Sequence, residues 1–433
     1  MDKSVPLIRA PELWARGVTG KGILVGIGDT GFTSHGDLDS VIVKKIPYTD
    51  GSTKDGFGHG TACSSVIAGQ AIRSSGKYKG VAPDAKIIMA KVLDDDGSGS
   101  YETIMNGMQA LADAGVQIVN LSLGSDGPAD GTDPLCLLMD RLTAERGIAF
   151  VCAAGNADGA AGSMMVGSPA VARSAIAVAA CGKDKTIAEF SSRGPSADGR
   201  EKPEVTAPGG KNAVTHWIVM ARAPGTTMGI PISSDYIAAP GTSFASPHVA
   251  GLCALLKQAY PEASPEALRE MLIKGAGGSV WKSDFGYGVV DAVKSVEGGN
   301  GDGGGEPEPP KLEVWIGASI DQGKNWYVIT KIPVKLGAEA ITLKARRFGA
   351  LGRILTSSVF EIVQTVIALT VTFGYIGMLG YSLLNSFIPA YATSFNTLID
   401  WGIVPGLIWG SYFATTAFKI YLRRYYATTT DAI

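Results

Sequence analysis

The chain has 433 residues, 45% of them hydrophobic and 18% charged, with a formal net charge of −2. That length exceeds one ordinary core, and that composition excludes a disordered or collagen-like chain. Charge is uneven: from Lys311 onward there are 11 basic and 6 acidic side chains, before it 27 and 34. An acidic front of this kind does not suit nucleic acid as a partner, whereas a basic, apolar tail suits a lipid surface. The five cysteines are odd in number, lack a CxxC and sit mostly in apolar runs, so they read as reduced core thiols.

In chain order, residues 1–17 show no basic segment followed by an apolar run, so no secretory signal is expected. Residues 23–29 form an apolar run that reads as a buried strand ending at Asp29, within GIGDTG. A carboxylate at a strand end often only caps a turn, but it can also orient an imidazole. His59 follows in GHGTACSS, with a glycine on either side and a helix expected over 61–68. His35, His216 and His248 read as structural.

Further strands are expected at 87–92, 116–121 and 148–153, with helices at 102–114 and 138–146. Strands that alternate with helices imply an α/β fold, a doubly wound and mostly parallel sheet whose ligands lie beyond the strands' carboxyl ends. Asn156, in AAGN, follows one such strand. Ser243, in GTSFASPHVAG, stands where a helix is expected to start, so its backbone N–H and the helix dipole could face an oxyanion. The bland alternatives are a turn for Asn156 and an N-cap for Ser243. Pro247 is read as lying in the first helical turn, where its missing donor is not needed.

The globular part is expected to end at residue 297. A Gly- and Pro-rich linker then covers 298–311, and a small β-rich module covers 312–345. Residues 346–433 read as a membrane anchor with two apolar spans, at about 359–384 and 401–418, each near the roughly 20 residues a spanning helix needs. Lys344, Arg346, Arg347 and Arg353 precede the first span, and Lys419, Arg423 and Arg424 follow the second. The segment between them has no Lys or Arg. By the positive-inside rule, both flanks and the globular domain should be cytoplasmic.

Asp29, His59 and Ser243, in that order and in those frames, resemble the subtilisin family (subtilases). The order is distinctive among triads. The resemblance spans about residues 5–296 and includes SHGDL at 34–38, GVAPDA at 80–85, GSGSY at 97–101, FSSRGP at 190–195, KPEVTAPG at 202–209 and GYGVVDA at 286–292. It implies a serine endopeptidase acting on polypeptide through an acyl-enzyme on Ser243, with His59 as general acid/base and Asp29 orienting it. Asn156 and the Ser243 N–H would form the oxyanion hole. Gly97, Ser98 and Gly99 on one side and Ser122, Leu123 and Gly124 on the other would be the edges that hold an extended substrate. No cofactor is required. Asp37 matches a family calcium ligand, which makes calcium a candidate structural ion, although 70–79 lacks the family's asparagine-rich pattern.

Other departures are the absence of a propeptide before residue 5 and a longer segment at 211–236, which could cover the active site or contact the small module. Asp94, Asp95 and Asp96 read as a solvated turn or as a preference for basic substrate side chains. A membrane-tethered binding module with a protease-derived fold is the alternative function, and the filled triad weighs against it. A Ser-Glu-Asp carboxyl peptidase is disfavoured by the frame around His59.

Overall fold

The structure is a computed structural model that describes residues 1–125, 127–158 and 162–299, together with three later strands. The chain divides into two compact units, Met1–Gly301 and Asp302–Ile433.

In the first unit, β1 (Leu24–Asp29), β2 (Ile42–Pro47), β3 (Lys86–Lys91), β4 (Ile118–Leu121), β5 (Ala149–Ala153), β6 (Ile176–Cys181) and β7 (Val205–Pro208) form one sheet. Its order is β2-β3-β1-β4-β5-β6-β7 and every pairing is parallel. Chain order therefore reverses around β1. In such a sheet that reversal opens a crevice beyond the carboxyl ends, where loops leave in opposite directions.

Alternation explains why both faces are covered. Val25, Ile27, Ile87, Met89 and Val151 enter one core layer, while Ile88, Ala90, Phe150 and Cys152 enter the other. Successive side chains in a strand point to opposite faces, so near-continuous apolar runs require helices on each side. Two short helices, α1 (Ser4–Leu7) and α2 (Ala10–Trp14), lead into the domain. The long helices are α3 (His59–Ala68), α4 (Tyr101–Asp113), α5 (Pro134–Arg146), α6 (Thr242–Ala259) and α7 (Pro265–Ala276), and α8 (Ala292–Gly299) closes the unit. Helix starts follow local chemistry: Ser100 accepts from Thr103 N at α4, and Asp133 accepts from Leu135 N and Cys136 N at α5. Helix α6 packs on β4, β5, β6, β7 and α3, which brings its start to the crevice.

The long segment at 211–236 does not line the cleft described below. It builds β8 (Ile218–Ala221), β9 (Ile230–Pro231) and β10 (Tyr236–Ala239), a separate three-stranded antiparallel sheet. Strand β8 packs on α3, where Ser65 Oγ accepts from Ala221 N at 3.0 Å. Buried apolar residues at 218, 220, 221, 236 and 237 drive this placement, because they need a hydrophobic backing that an open cleft would not supply.

All five cysteines are buried and free. Burial pushes the Cys136, Cys181 and Cys253 thiols up to about 12, so they behave as small apolar side chains.

In the second unit, β11 (Leu312–Ala318) pairs antiparallel with β12 (Tyr327–Val334) and with β13 (Phe418–Arg424). The last of these falls on the segment read from sequence as the basic flank after a second span, so the small sheet draws a strand from beyond residue 345. Among the described residues no helix is long and apolar enough to cross a membrane. The stretch at about 359–384 lies outside the described residues, as does the stretch at about 401–418 apart from Phe418.

Candidate active site

Asp29 is the last residue of β1 and is fully buried. Its Oδ1 accepts from Thr30 N at 2.7 Å and lies 2.8 Å from His59 Nδ1. A carboxylate bonded to Nδ1 requires the proton there, which leaves Nε2 as the basic nitrogen. Burial is the largest single effect and works against the charged ring, but the Asp29 carboxylate, through its charge and its hydrogen bond, and the neighbouring Cys63 together hold His59 well above its ordinary 6.5.

Glycine is required around His59 for packing reasons. Gly58 has φ 104°, and a Cβ there would meet Thr226 Oγ1 at 2.8 Å; a Cβ on Gly60 would meet the Gly31 carbonyl at 2.3 Å. Gly58 N donates to Asp55 Oδ1 at 2.6 Å, and Thr61 N and Oγ1 both donate to Asp55 Oδ2. Asp55, buried and invisible to motif reading, thus fixes the loop on both sides of the histidine.

Ser243 is the second residue of α6, so Pro247 falls in the second turn rather than the first. There it withholds the donor that would have bonded the carbonyl of residue 243. The freed carbonyl accepts instead from Ser122 Oγ at 2.7 Å and from the Cys63 thiol at 3.4 Å. The proline costs α6 one internal bond, and the serine gains two ties across the cleft floor. The Ser243 hydroxyl donates to the Ser122 carbonyl at 3.1 Å. His59 and Ser243 border the same cleft but form no hydrogen bond with each other. Catalytic hydrogen bonds are often long until substrate is bound.

Asn156 follows β5, and its Oδ1 accepts from Thr242 N and from Thr242 Oγ1, each at 2.9 Å. This fixes the amide at the start of α6, and among the described residues its two Nδ2 protons have no hydrogen-bond partner. Thr242 was not singled out from sequence; a hydroxyl just ahead of the candidate nucleophile was the available signal.

The cleft holds about 540 Å³, within the roughly 300–1,000 Å³ usual for ligand sites. Asp29 lies beneath it, and His59, Asn156 and Ser243 line it along with Gly97, Ser98, Gly99, Ser122, Leu123 and Gly124. Tyr101, the last residue of GSGSY, joins Leu93, Ile104 and Leu135 in an apolar wall whose other three members motif reading missed. Its available signal was the spacing of Tyr101 and Ile104, three residues apart on one helix. Of the three aspartates, Asp95 is held by buried Lys91 at 2.6 Å and by Gly56 N at 3.1 Å. Asp96 lines the cleft and accepts from Ser98 N and Oγ, which keep its carboxyl below the usual range.

The remaining histidines lie outside the cleft. His35 bonds the Asp235 carbonyl, and His216 Nδ1 accepts from Lys183 N. His248 lies between the Phe244 carbonyl and Ser4 Oγ, and burial lowers it to about 3.

Calcium takes six to eight oxygen ligands, chiefly carboxylates, carbonyls and water. Asp37 is 1% exposed; its Oδ1 accepts from Arg73 N at 2.7 Å and its Oδ2 from the Tyr236 hydroxyl. Among the described residues no group of three acidic, histidine or cysteine side chains gathers there. The donors around Asp37 do not fit a calcium ion.

The sequence matches the Subtilase family over residues 20–288. It is 33% identical to Serine protease AprX of Bacillus subtilis (strain 168) over 328 residues, covering 69% of this chain and 72% of that protein. It is 35% identical to Subtilisin DY of Bacillus licheniformis over 294 residues, covering 68% of this chain and 97% of that one. The Major intracellular serine protease of Bacillus subtilis (strain 168) is 34% identical over 279 residues, covering 62% of this chain and 79% of its own length. A family match over most of the chain, on a parallel sheet whose crevice carries a buried aspartate, a histidine and a helix-start serine, means that this chain belongs to the subtilase family and is a serine endopeptidase of the subtilisin type.

Proposed function

We propose that Ser243 is the nucleophile, His59 the general acid/base and Asp29 its orienting partner, with Asn156 Nδ2 and the Ser243 N–H as the oxyanion donors. The observation that carries this is the 2.8 Å bond between Asp29 and His59 Nδ1 at the edge of a cleft that Ser243 and Asn156 also line. When a peptide seats, the Ser243 hydroxyl turns from the Ser122 carbonyl toward His59 Nε2. It gives up its proton there as Oγ bonds to the scissile carbonyl carbon. The oxyanion is met by Asn156 Nδ2, and removing one such donor costs on the order of 2.7–4 kcal/mol of barrier. His59 then protonates the leaving amine as the C–N bond breaks. Water, deprotonated by the same ring, attacks the acyl-enzyme and releases the acid. Residues 97–99 and 122–124 would hold the substrate as an added strand, through backbone hydrogen bonds that tolerate varied sequence.

The purified full chain should cleave unfolded polypeptide and be labelled stoichiometrically by a serine-reactive phosphonate. Ser243→Ala should lower turnover on the order of 10⁶-fold. Full activity in that variant would refute the assignment.

The reading also includes a membrane anchor. Two apolar stretches, at about 359–384 and 401–418, with basic flanks and an uncharged-to-acidic connector, support a two-span hairpin that leaves the protease domain and the C-terminus in the cytoplasm.

A further inference from the structure

By its resemblance to the family Asp37 is a candidate calcium ligand, yet protein donors hold its carboxylate here. We infer that Tyr236 and the loop at 71–79 form a metal-free clasp that replaces the ion, so that this region folds without calcium.

Three segments meet at the carboxylate. The first is the Asp37 turn, where Asp37 N donates to His35 Nδ1 at 3.1 Å and the Asp37 carbonyl accepts from Gln70 N at 2.9 Å. The second is the loop at 71–79, which donates Arg73 N to Oδ1 at 2.7 Å. Two of its carbonyls are turned onto the loop: Ala71 O accepts from Gly76 N at 2.8 Å and Ser74 O from Lys77 N at 3.2 Å. These oxygens are spent on the loop itself instead of being presented to an ion. Arg73, Lys77 and Lys79 make the loop basic, which opposes a divalent cation.

The third segment is the end of the long insertion at 211–236. Tyr236 is 3% exposed and donates its hydroxyl to Asp37 Oδ2. Burial and the neighbouring carboxylate keep that hydroxyl protonated, so it stays a donor. Its ring lies 4.7 Å from that of Tyr78 and 5.8 Å, edge-on, from that of His35. Asp235 accepts from His35 Nε2 at its carbonyl, and its carboxylate lies 3.9 Å from Arg73 Nε. The insertion thus delivers one neutral donor and an aromatic wedge to the place where an ion would otherwise draw the loops together. Both carboxylate oxygens are satisfied without a charge that must be supplied from solution.

The test reads unfolding rather than hydrolysis, so its result is separate from the assignment of the nucleophile. Full-length chain carrying Ser243→Ala, to prevent self-digestion, is melted in millimolar CaCl₂ and in EGTA. The two midpoints should agree within about 1 °C. Adding Tyr236→Phe, which keeps the ring and removes the donor, should lower the midpoint by about 3–10 °C in both buffers. A calcium-dependent rise that persists in Asp37→Asn would put the ion elsewhere and leave the clasp standing. Calcium stabilisation that disappears in Asp37→Asn would overturn the inference, as would an unchanged midpoint in Tyr236→Phe.

Discussion

His59 takes part in opposing effects whose balance sets when the enzyme can work. Burial, the largest single effect, favours the neutral ring, but the charge and hydrogen bond of Asp29 at 2.8 Å, with Cys63 beside it, together favour the cation more, and the raised pKa follows. A raised pKa keeps the ring protonated to higher pH, and in the proposed mechanism only the neutral ring can accept the Ser243 proton. Activity should therefore be low in mild acid and rise as pH climbs past the raised value, on the alkaline side of 6.5. A kcat/KM profile on an uncharged peptide checks this, and Asp29→Asn should move the rising limb to lower pH while sharply reducing the rate. An unchanged limb in that variant would mean that Asp29 does not control the ring. Cys63 sits beside this pair, 3.8 Å from Nδ1, and burial raises its thiol. It acts here as a neutral donor to the Ser243 carbonyl rather than as a second nucleophile.

At the scale of elements, the start of α6 is held by side chains from elsewhere in the fold. Pro247 frees the Ser243 carbonyl, Ser122 beyond β4 takes it, and Asn156 beyond β5 takes the N–H and hydroxyl of Thr242. Strands β6 and β7 are tied by another device. The Lys202 ammonium, 2% exposed, bonds the Ala175 carbonyl at 2.6 Å and Glu204 at 2.7 Å, while Glu204 Oε2 accepts from Ala177 N at 2.8 Å. Glu204→Ala would strand a buried cation and should destabilise the domain by about 3–5 kcal/mol, read from urea unfolding in a Ser243→Ala background. Lys202→Met with Glu204→Leu should recover part of that loss, because an apolar pair avoids the desolvation cost of the stranded cation, although Ala177 N and the Ala175 carbonyl lose their side-chain partners. Failure of the single variant to destabilise would show that the pair is solvated in solution.

At the scale of the whole molecule, the proposed anchor makes a topological prediction. In sealed inside-out membrane vesicles, whose cytoplasmic face is outward, added protease should digest the catalytic domain. In right-side-out vesicles the domain should be protected. Digestion from the outer face would reverse the orientation argued from the basic flanks.

Much of the site was legible in the string because its chemistry is local. Asp29 at a strand end, His59 between two glycines and Ser243 at a helix start are short-range patterns, and the alternation of apolar runs with amphipathic helices implied a two-sided parallel sheet. Long-range pairing was not legible, since no spacing rule links residue 37 to 236, 122 to 243, or 156 to 242. The place of Pro247 followed from where α6 starts, and the insertion at 211–236 was directed away from the cleft by its need to bury an apolar face against α3. Motifs name the groups that can react. Only the folded chain decides which of their lone pairs are already occupied, because a hydrogen bond depends on distance and angle in space rather than on position along the sequence.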